Sequence, residues 1–366
     1  MIVTVTTLKD RLANVQRFVR GNLAGGADHL IVFLDDSDGP EDEVLAWLTA
    51  QPQVTVVVTD ESWWQGRRPQ LLNKRQRVNA NLARAVLRRL DWAEWLFHVD
   101  ADEIVRIDRA ELAKVPRRRP AVGLKPLEVV SEMHPAGEPR LFKPLLKDGD
   151  LALLQVLGVL AEPTNSLYFR SHIAGKVGVR PQADVWLGIH KATDNDDNRL
   201  PLVHRAGFEM LHLESYSGEE FVRKWTAMVG SGPQMHFGPH RMQLATALKA
   251  VVGKDLPDEQ RARFFELIYE RHMADPVDLL RDLGLLREID PLQGTHTPEP
   301  LPDAERARLV GMLEELRDQD KWQFLPDSDR KKDAKKGSGQ DTAAEAPATK
   351  PATDAVRRGL GRLRRS

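Results

Sequence analysis

The chain has 366 residues, 54 acidic and 53 basic side chains, a formal net charge of -1 and no cysteine. That length suits one large domain with extensions or two modest ones, and the balanced charge argues against a dedicated nucleic-acid binder. Without cysteine, disulfides, thiolate metal sites and cysteine nucleophiles are excluded, which suits a reducing cytosol. The opening MIVTVTTLKD lacks a secretory pattern. No apolar run reaches the ~18–20 residues of a membrane span; LALLQVLGVL, from Leu151, is about half that. The expectation is a cytoplasmic protein, peripheral to the inner membrane face at most.

In chain order, IVTVTT reads as a β-branched strand, and Arg11 to Leu23 as a helix with Leu12, Val15 and Val19 on one face. HLIVFLDD and QVTVVVTD read as buried strands that end in acids. A helix follows in which Val78, Leu82, Val86 and Leu90 repeat every four residues, then a fourth strand, WLFHVDADEIV. This alternation predicts an α/β fold with a mainly parallel central sheet and flanking helices. Asp35, Asp36, Asp60, Asp100 and Asp102 fall at predicted strand C-termini, the rim where such sheets bind ligands.

From Val122 to Arg180 the pattern is mixed. Helices are expected over Gly218 to Val229, Asp258 to Arg287 and residues 303–322. After Pro326 the chain has almost no large apolar residue, so residues 326–366 are expected to be disordered. The closing AVRRGLGRLRRS carries five arginines, suited either to an anionic membrane surface or to plain solubility.

The chief chemical signal is HVDADEI, His98 to Ile104. Two aspartates one residue apart on an extended segment project to one side, about 6–7 Å apart, and can address one divalent cation. Mg²⁺ or Mn²⁺ takes such oxygen ligands and completes its shell with phosphate oxygens. The competing reading is a solvated acidic turn. Other residues carry paired readings. Asp36 could accept from a nucleobase or ribose, or cap a helix. Arg75 and Asn79, on one helix side, could reach a nucleotide or simply face solvent. Lys224 could neutralise a diphosphate or lie on the surface. His190 could line an acceptor pocket or cap a strand. Trp63 and Trp64 could stack on a sugar, or divide between core and surface.

His98, Asp100, Asp102 and Glu103, with LIVFLDDSDG upstream, KRQRVNANLARA between and LHLESYSGEEFVRKW downstream, resemble the glycosyltransferase family 2-like group, close to its family 92-like branch. The acidic pair of LIVFLDDSDG is one residue shorter in spacing than the common family form, and Leu213 stands where the family often has Tyr. The resemblance covers roughly residues 1–230. It implies a GT-A domain with a nucleotide-binding half over about 1–105 and an acceptor half over about 106–230, before a helical extension at 231–325. It implies Mn²⁺ or Mg²⁺ at Asp100, Asp102 and His212. It implies a nucleotide-sugar donor, UDP-linked foremost, contacted by Asp35, Asp36, Arg75, Asn79, Asp100 and Lys224.

The implied reaction is transfer with inversion to a hydroxyl of a carbohydrate or glycolipid, in bacterial surface polysaccharide synthesis. An Asp or Glu would be the base. Glu128, Glu132, Glu162 and Asp184 lie in the relevant stretch, and no motif singles one out. Two alternatives are a metal-dependent phosphatase or phosphotransferase and a non-catalytic carbohydrate-binding scaffold. The first usually has its Asp-x-Asp near the N-terminus with Thr following; here Glu103 and Ile104 follow.

Overall fold

β-Branched and aromatic residues gather in short runs broken by turn residues, and these runs become the strands. In the computed structural model, which describes residues 1–35, 43–230, 239–294 and 296–330, β1 (Ile2–Leu8), β2 (His29–Leu34), β3 (Val54–Val58) and β4 (Trp95–His98) run parallel in the order β3-β2-β1-β4. Between them lie α1 (Leu12–Ala24), α2 (Glu43–Thr49), α3 (Glu61–Trp64) and α4 (Leu72–Leu87). The chain continues through β5 (Glu103–Ile107), α5 (Arg109–Ala113), β6 (Ala121–Val129), β7 (Leu141–Lys143), α6 (Asp148–Val156), α7 (Asn165–Tyr168) and β8 (Lys176–Val179). β8 lies antiparallel between β4 and β6, and β7 antiparallel beside β6.

β9 (Trp186–Leu187) and β10 (Ala192–Thr193) form a separate ladder. β11 (Phe208–His212) then enters parallel to β6 and antiparallel to β5. Helices α8 (Gly218–Gly230), α9 (Pro239–Val252), α10 (Asp258–His272) and α11 (Val277–Asp282) follow, then β12 (Arg287–Glu288) on the edge of β7, and α12 (Asp303–Glu314). The fold is therefore α/β, with a mixed, mostly parallel central sheet flanked by helices.

Alternation along β1 sends Val3 and Val5 to one face, with Val78, Leu82 and Val86 of α4, and Ile2 and Leu8 to the other, with Val15, Phe18 and Val19 of α1. All of these are at most 5% exposed, and each such side chain contributes roughly 1.5–3 kcal/mol by leaving water. The spacing Val78, Leu82, Val86, Leu90 thus marks the buried face of α4 and of the turn after it. Residues Met1–Pro326 pack as one compact unit. The chain after Gly230 is tied in by Tyr269, whose hydroxyl donates to the Ser215 carbonyl (2.8 Å) and lies 3.1 Å from that of Glu132, and by the Asp275 carboxylate, which accepts from Ser131 N.

Several sequence expectations need correcting. The helix expected from Asp258 to Arg287 is broken between α10 and α11, because Pro276 drives Asp275 out of the helical region; Arg287 itself is in β12. The helix expected over 303–322 stops at Glu314, and a separate 3₁₀ turn, Lys321–Phe324, starts where the Asp320 carboxylate accepts from Trp322 N. Trp63 and Trp64 are 0% and 2% exposed in the core, so neither offers a stacking face. Asp60 caps α3, accepting from Trp63 N. Residues 331–366 lie outside the described residues, and with them the arginine-rich end. Among the described residues no helix is long and apolar enough to cross a membrane.

Candidate functional site

β4 delivers the acidic motif to the C-terminal rim of the parallel strands. Beyond His98 the chain leaves the sheet and turns at once: Glu103 N donates to Asp100 O (3.0 Å), and the Glu103 carboxylate accepts from Asp100 N (2.7 Å). β5 then departs, its outer edge satisfied by the Asn22 side chain, which accepts from Val105 N and donates to Glu103 O. Gly25 completes that edge. A Cβ there would lie 1.8 Å from Val105 O, so only glycine lets α1 end so close to β5.

The turn gives the two aspartates different partners. Asp100 accepts from Gln76 (2.7 Å) and from the Lys176 ammonium (2.7 Å). Asp102 faces Lys224 at 2.5 Å and His212 Nε2 at 3.8 Å. The His212 contact follows from register. In the β11–β5 ladder His212 sits opposite Glu103, and Leu213 N donates to Asp102 O at 2.8 Å. A separation of more than a hundred residues in sequence is thus closed by one strand pairing. Two residues on, Glu214 brings one carboxylate oxygen 3.7 Å from His212 Nε2 and the other 3.6 Å from Lys224 Nζ. Next to it Ser215 has φ 56°, a strained left-handed conformation for a non-glycine residue, held by Tyr269 donating to its carbonyl.

Charges here are paired in low-dielectric surroundings. Lys176 is fully buried between Asp100 and Glu103, and Lys143 between Glu128 and Asp275. Burial penalises the Asp100 charge, but Lys176 and His98 together outweigh it and hold this carboxyl well below its usual range. Asp102 is lowered likewise, burial being overcome by Lys224 and then His212. At Glu103 burial wins: Lys176 only partly offsets it, and the group is pushed up to about 7. Burial opposes a charged His212 too, yet the nearby charges of Asp102, Glu103 and Glu214 raise it to about 9. Such opposed shifts in one cleft are what working acids, bases and cation sites show.

One atom each from Asp102, His212 and Glu214 can be chosen so that all lie within 4.8 Å of one another. Two ligands on opposite sides of a small cation stand about 4–4.5 Å apart, so this carboxylate–imidazole–carboxylate set fits a divalent ion with minor side-chain adjustment. Asp100 is not in that set; its oxygens are engaged by Gln76 and Lys176. A second group, Glu103, His172 and His212, meets the same spacing. It lies against the Lys176 ammonium, 3.2 Å from Glu103, which disfavours a cation there.

The trio opens into a cavity of about 1140 Å³ lined also by Asp35, Arg75, Asp100, Lys224, His172 and His190. Asp35 and Arg75 are paired with each other at 3.0 Å at one end of it. Asn79 is fully buried and does not line it; it donates to the hydroxyl of Thr7, which does. Asp36 lies outside the described residues. His190 stacks edge-on to His172, whose ring is 5.0 Å from that of His212. None of the four acids proposed as base lines the cavity. Glu128 is buried beneath His212, Glu132 borders another recess, Glu162 is exposed in a turn, and Asp184 pairs with Arg88 at the surface.

Sequence reasoning missed Glu214, Lys176, His172 and Ser171. Glu214 had a readable signal, since residues two apart on an extended segment share a side with His212. The others meet the site only through β8 and the loop before it.

No protein-family model and no curated protein matches the sequence. Among solved structures the chain is similar to S. aureus TarS residues 1–349 in complex with UDP, at 11% identity over 77% of this chain and 75% of that one, with a TM-score of 0.31. It is also similar to the bifunctional glycosyltransferase WbbM in its apo form, at 15% identity over 50% of this chain and 31% of that one, TM-score 0.23. The galactosyltransferase LgtC, solved with donor and acceptor sugar analogues, matches at 11% identity over 90% of this chain and 100% of that one, TM-score 0.24. These likenesses are distant ones, and they give no support to the family 92-like branch.

Proposed function

We propose that this protein is a metal-dependent GT-A glycosyltransferase that moves a sugar from a nucleotide-sugar, UDP-linked foremost, to a hydroxyl of a carbohydrate or glycolipid acceptor, with inversion. The observation that carries the reading is the meeting of Asp102, His212 and Glu214 in the lining of a large cavity on the C-terminal rim of the parallel strands. Asp102, His212 and Glu214 would hold the cation, and the imidazole favours Mn²⁺ over Mg²⁺. When bound, the ion stabilises negative charge gathering on the departing diphosphate.

The chain's own residues divide the remaining work. Asp35 and Arg75 brace each other at the end of the cavity next to β1 and β2, suited to the nucleoside. Lys176 keeps Asp100 ionised and fixed, free to accept from a sugar or ribose hydroxyl. Lys224 lies among the carboxylates, and its flexible stem lets it turn to a diphosphate oxygen once a cation takes its place.

The test is release of nucleoside diphosphate from UDP-, GDP- and CMP-linked sugars by purified protein. Turnover of at least one donor should require Mn²⁺ or Mg²⁺ and vanish with chelator. Cleavage indifferent to chelation would reject the metal-dependent reading, and no cleavage of any donor with any acceptor would reject transfer.

A further inference from the structure

The Glu128 carboxylate, one strand beneath the cavity, has four partners, three of which can only donate. Arg170 N (2.7 Å) and the Lys143 ammonium (2.8 Å) bond one oxygen, while Ser171 N (2.7 Å) and the Ser171 hydroxyl (2.5 Å) bond the other. The buried Lys143 ammonium holds Glu128 ionised against the cost of burial, so the carboxylate accepts only. The Ser171 proton therefore points to Glu128. The same hydroxyl oxygen lies 3.0 Å from His212 Nδ1, and with its one proton committed it can only accept there. His212 Nδ1 must carry hydrogen.

We infer that Ser171, locked by Glu128, is a positioning residue that pins His212 through Nδ1–H and so turns Nε2 toward Asp102 and Glu214, the arrangement in which Nε2 can ligate a cation. Nε2 stands 3.8 Å from Asp102 and 3.7 Å from Glu214. An imidazole fixed at one nitrogen presents the other in one direction and one tautomer, and loss of such a partner typically weakens metal binding. The relay is braced from below. Lys143 is fully buried and also bonds Asp275, at the break between α10 and α11, so the C-terminal helices take part in holding the ring. Glu128 sits opposite His212 in the β6–β11 ladder, which sets the spacing of the whole chain of contacts.

The purpose of the relay rests on the metal reading above, so the test has two readouts. Ring ¹⁵N NMR of histidine-labelled protein without metal, recorded above the pH of about 9 at which His212 loses its charge, should show Nδ1 protonated and Nε2 bare in the wild type. Mn²⁺ affinity, read from the free-ion EPR signal, should fall about 10- to 100-fold in Ser171→Ala. Ser171→Thr, which keeps the hydroxyl, should bind Mn²⁺ nearly as the wild type does. An unprotonated Nδ1, or Ser171→Ala binding Mn²⁺ as tightly as wild type, overturns the inference; a purely structural Ser171 would lower the melting temperature alone. Wild-type protein with Nδ1–H in place that binds no Mn²⁺ supports the ring orientation and rejects the metal function instead.

Discussion

Asp102→Asn should cut donor turnover by roughly 10²–10³-fold, the loss typical when a charge-stabilising group is removed from a transition state. The amide keeps the shape of the carboxylate but gives up the charge that Lys224 and His212 face at 2.5 and 3.8 Å. The fold should be retained, at a stability loss of about 1–3 kcal/mol, because two cations lose a partly buried counter-charge. Diphosphate release and thermal melting on the same preparation separate the effects. Near-normal turnover in the variant would remove Asp102 from the cation site.

Lys176→Met should produce the largest stability loss. The ammonium is 0% exposed and bonds both Asp100 and Glu103. Methionine fills similar volume yet leaves two acids without their cation, a change that typically costs about 3–5 kcal/mol. Urea denaturation measures it. Glu103→Gln in the same chain removes one of the abandoned charges, so the double variant should be more stable than Lys176→Met alone. A loss below about 1 kcal/mol would show that water already reaches this pair.

The first hundred residues were readable because their elements are local. Short β-branched runs and the four-residue repeat of Val78, Leu82, Val86 and Leu90 depend on periodicities that a single segment carries. The division of labour in the acidic motif was not readable. On a straight strand Asp100 and Asp102 would share one side, but the Asp100–Glu103 turn separates them, and Lys176 arrives from β8 to claim Asp100. That His212 faces Asp102 depends on the β11–β5 register, which no local pattern encodes. Trp63 and Trp64 show the same limit: both are buried, one ring beneath Lys321 of the C-terminal 3₁₀ turn, an element whose packing cannot be inferred from residues 60–65. Glu128, one of the four acids the sequence offers as base, gains a different role from four donors brought by Lys143, Arg170 and Ser171.

Anomalous diffraction at the manganese edge, from crystals grown with Mn²⁺ and UDP, tests the central claim most directly. One strong peak is expected in the large cavity, about 2.0–2.3 Å from the Asp102 carboxylate and from His212 Nε2, with diphosphate oxygens on its open side and Lys224 withdrawn from Asp102. Ordered UDP with no manganese at these residues, or manganese held elsewhere on the chain, would contradict it.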